Sequence, residues 1–176
     1  VYYESRVVAL KLDKGTLEEL DELYQTAEET INQEALEKSK HTFASLDAVL
    51  GSPSTIQSLC KDIVEHYESN RANLLTGKAL IVAYSRDIGI KIYKEILRLR
   101  PTWQEKVAVV MTASNQDPEE WHSIIGTEQH KKDLANKFKD DDNPLKIAIV
   151  VDMWLTGFDV PSLSTMYVFK PMKGHN

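Results

Sequence analysis

The sequence predicts an α/β fold: a parallel sheet flanked by helices, with an amino-terminal helical appendage. Three observations predict it. Short, nearly continuous apolar runs recur at 78–84, 106–112 and 146–152, as in strands covered on both faces. Amphipathic stretches of helical spacing lie between them. Strand–helix–strand alternation then requires crossover connections, which produce parallel sheets.

Composition narrows the class. The chain has 176 residues, close to the roughly 150 of one domain. Apolar residues make up 42% and charged residues 27%, an ordinary globular balance. There is no Gly/Pro/Ser-rich run, which excludes a fibrous or low-complexity chain. No apolar run reaches the roughly 18 residues of a membrane helix. The opening Val1-Tyr2-Tyr3-Glu4 lacks the basic and apolar regions of a signal peptide. It also lacks an initiator methionine, so a piece of a longer protein is expected. The single Cys60 cannot form an internal disulfide, which fits a reducing cytoplasm. The net charge of −6 is uneven. Residues 1–50 hold 5 Lys/Arg against 11 Asp/Glu, whereas residues 51–100 hold 8 against 5. A duplex-binding module working alone is usually basic, so a DNA site here would be shared with another domain.

The elements follow in order. Val7–Leu12 reads as a short strand. Leu17, Leu20, Leu23, Ala27 and Ile31 recur at helical spacing among acidic residues, and Thr16 with Glu19 forms a capping-box pattern. An exposed acidic helix is expected over 16–40. Gly51–Ser54 is a turn, with Ser52 or Ser54 capping a helix over Thr55–Glu68. Its buried stripe is Ile56, Leu59-Cys60, Ile63-Val64 and Tyr67, so Cys60 reads as a core residue. His66 reads as a surface or packed histidine. A soft boundary near Leu75–Gly77 separates 1–76 from 77–176. Strand Lys78–Tyr84 leads into a helix from Asp87 to Arg100, with Ile88, Ile92, Ile96 and Leu99 in register and Pro101 ending it. Strand Lys106–Thr112 is followed by a loop, a short helix at Pro118–Ile125 and a helix over Glu128–Phe138. Asp140–Pro144 turns into strand Lys146–Asp152, and Thr165–Phe169 is a fourth strand. In such sheets the functional loops sit at the carboxyl ends of the strands: Tyr84–Arg86, Thr112–Asn115, Asp152–Pro161 and Lys170-Pro171.

Several chemistries are missing. A P-loop needs Gly-x4-Gly-Lys-Ser/Thr, but Gly77-Lys78 is followed by Ala79 and the earlier glycine is absent. No Cys pair, two-His helix or EF-hand loop is present, so no metal site is expected. There is no Gly-x-Ser-x-Gly elbow. Asp140-Asp141-Asp142 reads as a solvated loop. No catalytic residue is assigned.

One segment stands apart: Asp152-Met-Trp-Leu-Thr-Gly-Phe-Asp-Val-Pro161 directly follows a buried strand. Gly157 permits a tight turn or close backbone approach to a ligand, and Asp159 places a carboxylate at the sheet's carboxyl edge. The plainer reading is an ordinary turn around a buried Trp154.

Residues 149–163 resemble motif V of superfamily 2 helicases and translocases. The wording of 152–161 resembles in particular the restriction (R, motor) subunit of type I restriction-modification enzymes. Lys78–Arg86 resembles motif IV, and Val109–Asp117 and Tyr167–Asn176 resemble the same family. Tyr2–Arg6 resembles the segment entering this lobe. The resemblance implies a RecA-like second motor lobe of a large subunit that also carries a nuclease domain and a first lobe. That first lobe would hold the P-loop and the acidic Walker B motif, so ATP and Mg²⁺ would be bound mainly there, and no cofactor is expected on this chain alone. By resemblance, Gly157 and Asp159 face the nucleotide, Asp159 near the ribose. Val151, Asp152 and Thr156 couple that cleft to DNA. Ser85, Arg86, Thr112, Ser114 and Thr156 contact the DNA backbone. Hydroxyls, backbone N–H groups and an arginine suit phosphate contacts that position without reading sequence. The implied partners are double-stranded DNA, the other domains of the same subunit, and methylation and specificity subunits, with no membrane.

One departure matters. The family's motif VI, which supplies an arginine to the γ-phosphate, lies beyond Asn176. Such fingers contribute about 10³–10⁵ in rate in related hydrolases. The isolated chain is therefore expected to hydrolyse no ATP, and residues near 165–176 are expected to be poorly ordered. Two other readings stay open: a lobe of another superfamily 2 DNA motor, and a non-catalytic α/β interaction module.

Overall fold

The computed structural model of the chain describes residues 44–151, 153–154 and 158–170. The expected strand at Val7–Leu12, the acidic helix at 16–40 and the segment Pro171–Asn176 lie outside them. By backbone contacts the chain divides into two compact units, Val1–Leu59 and Cys60–Asn176.

Residues 44–50 are helical and a turn follows. Helix α1 (Pro53–His66) begins with a proline at its first position, where the missing N–H costs nothing. Ser52 precedes it, its carbonyl accepting the Ile56 N–H at 3.0 Å. The expected stripe is buried throughout: Ile56, Leu59, Cys60, Ile63, Val64 and Tyr67 are all at most 5% exposed. The helix does not stop at Glu68 but widens into a π turn over Tyr67–Arg71. Tyr67 Oη then donates to the Gly77 carbonyl at 2.6 Å. Gly77 has φ +71°, and a Cβ there would lie 2.5 Å from the Ala72 carbonyl oxygen, so only glycine fits this turn.

Four strands form one parallel sheet: β1 (Lys78–Ala83), β2 (Val107–Val110), β3 (Ile147–Val150) and β4 (Leu163–Phe169), in the order β2-β3-β1-β4. This is the expected α/β architecture, as in a RecA-like lobe. β1, β2 and β3 are short and almost wholly buried, which explains why they read as continuous apolar runs. Register aligns their ends, with Val150 opposite both Val82 and Val110. The carboxyl termini of β2, β3 and β1 are therefore level. β4 pairs with β1 from Lys78 to Ala83. The expectation of poor order thus fails for 165–169: backbone pairing to a central strand holds them, although Met166 and Val168 are exposed.

Helices cover both faces. Helix α2 (Arg86–Leu99) packs on β1, β2 and β3. Gly89 makes this close approach possible: a Cβ there would lie 3.1 Å from Met111 Cε and 3.7 Å from Ala83 Cβ and Ile149 Cγ2. Helix α3 (Glu119–Ile125) follows β2. Helix α4 (Glu128–Lys139) is capped by Thr127, whose hydroxyl accepts the His130 N–H at 3.2 Å. Its Leu134 and Phe138 join Leu80, Val82, Val110, Ala148 and Val150 in one core cluster. Strand alternation sends these residues to α4 and their neighbours Ile81, Ala83 and Ile149 to the other face.

The Asp140–Asp142 turn differs from a merely solvated loop. The Lys78 side chain is fully buried and ion-paired to Asp141. Asp141 also accepts from Ser162 Oγ at 2.6 Å. A buried ammonium needs such a partner, so this turn closes the amino edge of the sheet. Among the described residues no helix is long and apolar enough to cross a membrane.

Candidate functional site

The level carboxyl ends of β1, β2 and β3 bring their loops together. Arg86, Met111, Thr112, Ala113, Ser114, Val151 and Met153 line an open depression of about 340 Å³ there. Of the residues assigned to DNA, Arg86, Thr112 and Ser114 therefore meet in one place. Val151, assigned to coupling, shares it. Asp152, Thr156 and Gly157 lie outside the described residues.

Ser85 caps α2. Its Oγ accepts the Ile88 N–H at 3.3 Å, and its extended backbone (φ −140°) turns the chain from β1 into the helix. This role occupies one lone pair of the hydroxyl and leaves its proton available. Arg86 follows at the first helical position and reaches across the sheet. Its two terminal nitrogens each meet one oxygen of Asp117 at 2.6 Å. Nη2 also donates to the Thr112 carbonyl at 2.8 Å. Asp117 further accepts the Ser114 backbone N–H at 2.7 Å. The Trp121 ring lies 5.8 Å from the guanidinium.

Exposure is unequal in this pair: 34% of the Arg86 side chain and 3% of the Asp117 side chain remain open. The Arg86 hydrogen bonds hold the Asp117 carboxyl below the usual carboxylate range, helped by the Ser114 N–H and against the effect of burial. Arg86 Nε is buried and meets no acceptor among the described residues. Most of the guanidinium is thus committed within the protein. The residues more open to a ligand are Thr112 and Ser114. Thr112 Oγ1 makes only a weak 3.8 Å contact with Met153 Sδ. Ser114 Oγ accepts the Gln116 N–H at 3.2 Å.

Asp117 falls within the family-like loop, but the sequence assigns it no role. Its signal is faint: an aspartate 31 residues from its partner and just before a proline.

Beyond β3 the chain carries Trp154 at φ +63°. This left-handed conformation costs roughly 1–2 kcal/mol for a side chain of this kind. Trp154 is half-buried rather than fully buried. Its ring stacks on Phe158 at 4.0 Å and lies 5.6 Å from Phe138 of α4. Phe158 and Val160 pack on the core while Asp159 between them is exposed. The two inward anchors on either side hold the carboxylate outward. Among the described residues no group of three His, Cys, Asp or Glu could hold a metal ion.

Residues 18–176 match the family model described as type I restriction enzyme subunit R domain 3. A protein of Methanocaldococcus jannaschii, named as the type I restriction enzyme MjaIXP endonuclease subunit, is 41% identical over 179 residues, covering 100% of this chain and 17% of that protein. The type I restriction enzyme HindI endonuclease subunit of Haemophilus influenzae is 41% identical over 136 residues, covering 74% of this chain and 13% of that protein. The chain spans less than a fifth of the length of these curated relatives. With nearly its whole length matched, the chain belongs to the family of type I restriction enzyme R subunits.

Proposed function

We propose that this chain is the second motor lobe of its R subunit, and that it converts nucleotide-driven closure of an inter-lobe cleft into stepping along double-stranded DNA. The observation that carries this reading is the shared depression. Arg86, Thr112 and Ser114 come from two separate loops and meet Val151, the start of the motif V-like loop. A motor needs its DNA contacts and its nucleotide loop mechanically joined, and the support for this is that Val151 and Met153, at the start of that loop, line the same depression as Arg86, Thr112 and Ser114.

Thr112 and Ser114 offer hydroxyls and Ser85 a hydroxyl proton. These groups suit phosphate oxygens and carry no sequence information, as a translocase requires. ATP supplies the free energy of the cycle, with Mg²⁺ held mainly by the first lobe. On this chain Asp159 is the described residue suited to the nucleotide. It is an exposed carboxylate that can accept hydrogen bonds from ribose hydroxyls, and Phe158 and Val160 limit its wander. In the whole enzyme, translocation leads to cleavage of foreign DNA by a nuclease domain outside this chain, while partner subunits recognise and methylate the site. The compartment that fits is the cytoplasm.

The test is DNA-stimulated ATP hydrolysis by the full-length parent, wild type against Asp159→Ala. A loss of at least tenfold with unchanged folding is expected. Unchanged hydrolysis would sink the motor-lobe reading and favour a non-catalytic interaction module.

A further inference from the structure

We propose that Asp117 is a positioning residue for DNA engagement: through Arg86 it locks the loop after β2 into the shape that presents Thr112 and Ser114. The proposal rests on the motor-lobe reading and deepens it.

Topology sets up the problem. β3 lies between β1 and β2 in the sheet, so the loops bearing Arg86 and Asp117 leave strands about 10 Å apart. Arginine is long enough to bridge that gap, and its planar fork matches a carboxylate in two bonds. The bridge crosses over the carboxyl end of β3, where Val151 and Met153 line the same depression. Residues 111–118 form no helix or strand, so the loop's shape depends on the contacts that tie it down. Asp117 supplies three at 2.6–2.7 Å, two to Arg86 and one to the Ser114 N–H. Arg86 adds a fourth, at the Thr112 carbonyl. Thr112 and Ser114, two of the residues assigned to phosphate contact, are thereby held through their backbones, which leaves their hydroxyls turned to use.

The same geometry poses a rival: Asp117 could imitate a phosphate and release Arg86 when DNA arrives. The bond count argues against release. Freeing Arg86 breaks both of its bonds to Asp117 and the one to the Thr112 carbonyl, leaving the loop the Ser114 N–H contact alone. A permanent strut is the better fit.

The two ideas predict opposite signs. Asp117→Asn removes one negative charge beside the DNA path. Electrostatics alone, or release of a phosphate mimic, would tighten DNA binding. A strut predicts weaker engagement. The experiment uses the full-length R subunit in its assembled complex and follows ATP hydrolysis against DNA concentration. For Asp117→Asn the half-activating DNA concentration is expected to rise about tenfold, the equivalent of one lost hydrogen bond, with the rate at saturating DNA far less changed. Arg86→Lys keeps the charge but loses the fork, and should give a similar rise. The double variant should be no worse than either alone, because both break one unit. If Asp117→Asn does not fold, Asp117→Glu, which keeps the charge but shifts the carboxylate by one methylene, carries the test: a raised half-activating concentration supports the strut and an unchanged one overturns it. A lowered or unchanged half-activating concentration, or additive effects, would overturn the proposal. Asp159→Ala run in parallel separates the two levels. Its failure to impair hydrolysis would remove the motor reading itself. Its expected loss beside an unaffected Asp117→Asn would remove only the strut.

Discussion

Replacing Phe138 by alanine should remove the keystone between α4 and the motif V-like loop. Phe138 is fully buried and packs with Leu80, Val82, Val110, Leu145 and Val150. Its ring also lies 5.6 Å from Trp154. Burying a phenylalanine side chain contributes about 1.5–3 kcal/mol, and the cavity left behind raises the cost of truncation to about 3–5 kcal/mol. Relaxation should be limited, because Leu80, Val82, Val110 and Val150 sit on three strands held by backbone pairing. With a urea dependence of about 2 kcal/mol per molar, the unfolding midpoint falls by roughly 2 M. The assay is urea unfolding of the chain followed by far-UV circular dichroism, with Phe138→Leu as the volume-retaining control. Phe138→Leu should lose far less. A loss below about 1 kcal/mol for Phe138→Ala would refute the packing argument. Trp154 would then need another source of support for its left-handed backbone.

Two further outcomes follow from the electrostatics. Asp117 has its pKa lowered, chiefly by Arg86. Its ionised form is therefore favoured in the folded state, and its contribution is present above the unfolded carboxylate value near 4. That contribution should be lost as pH falls further, so a melting-temperature profile between pH 2 and 6 should be flatter in Asp117→Asn; an identical profile would mean the pair contributes nothing. Burial, and secondarily Glu95, pushes the Cys60 thiol far up, and its Sγ–H faces the Ile92 carbonyl at 3.8 Å. Maleimide or disulfide reagents should leave Cys60 unmodified at pH 8 until the chain is unfolded, and rapid labelling of the native protein would contradict the burial.

Most of the architecture was legible because periodicity reports burial directly. Ile88, Ile92 and Ile96 recur once per helical turn because one face of α2 lies on the sheet, and all three are fully buried. The runs at 78–84, 106–112 and 146–152 lost all alternation because helices cover both faces. Boundaries shifted by one or two residues where caps, not hydrophobicity, decide them: Ser85 starts α2 one residue early. The fourth strand escaped its expected disorder because pairing along β1 is a backbone property that side-chain pattern does not express.

By itself, the sequence determined the fold class, the strand-end loops and the family, since each rests on local pattern or on a contiguous stretch such as 152–161. The tertiary structure alone decided the strand order, and with it everything that depends on long-range neighbours. Asp117 meets Arg86 across 31 positions, Asp141 receives the buried Lys78 across 63, and His66 Nδ1 lies 2.9 Å from the Tyr167 hydroxyl across 101. Such pairs carry no periodic signal. They exist because β3 inserts between β1 and β2 and β4 returns beside β1, a choice made by the packing of the whole sheet.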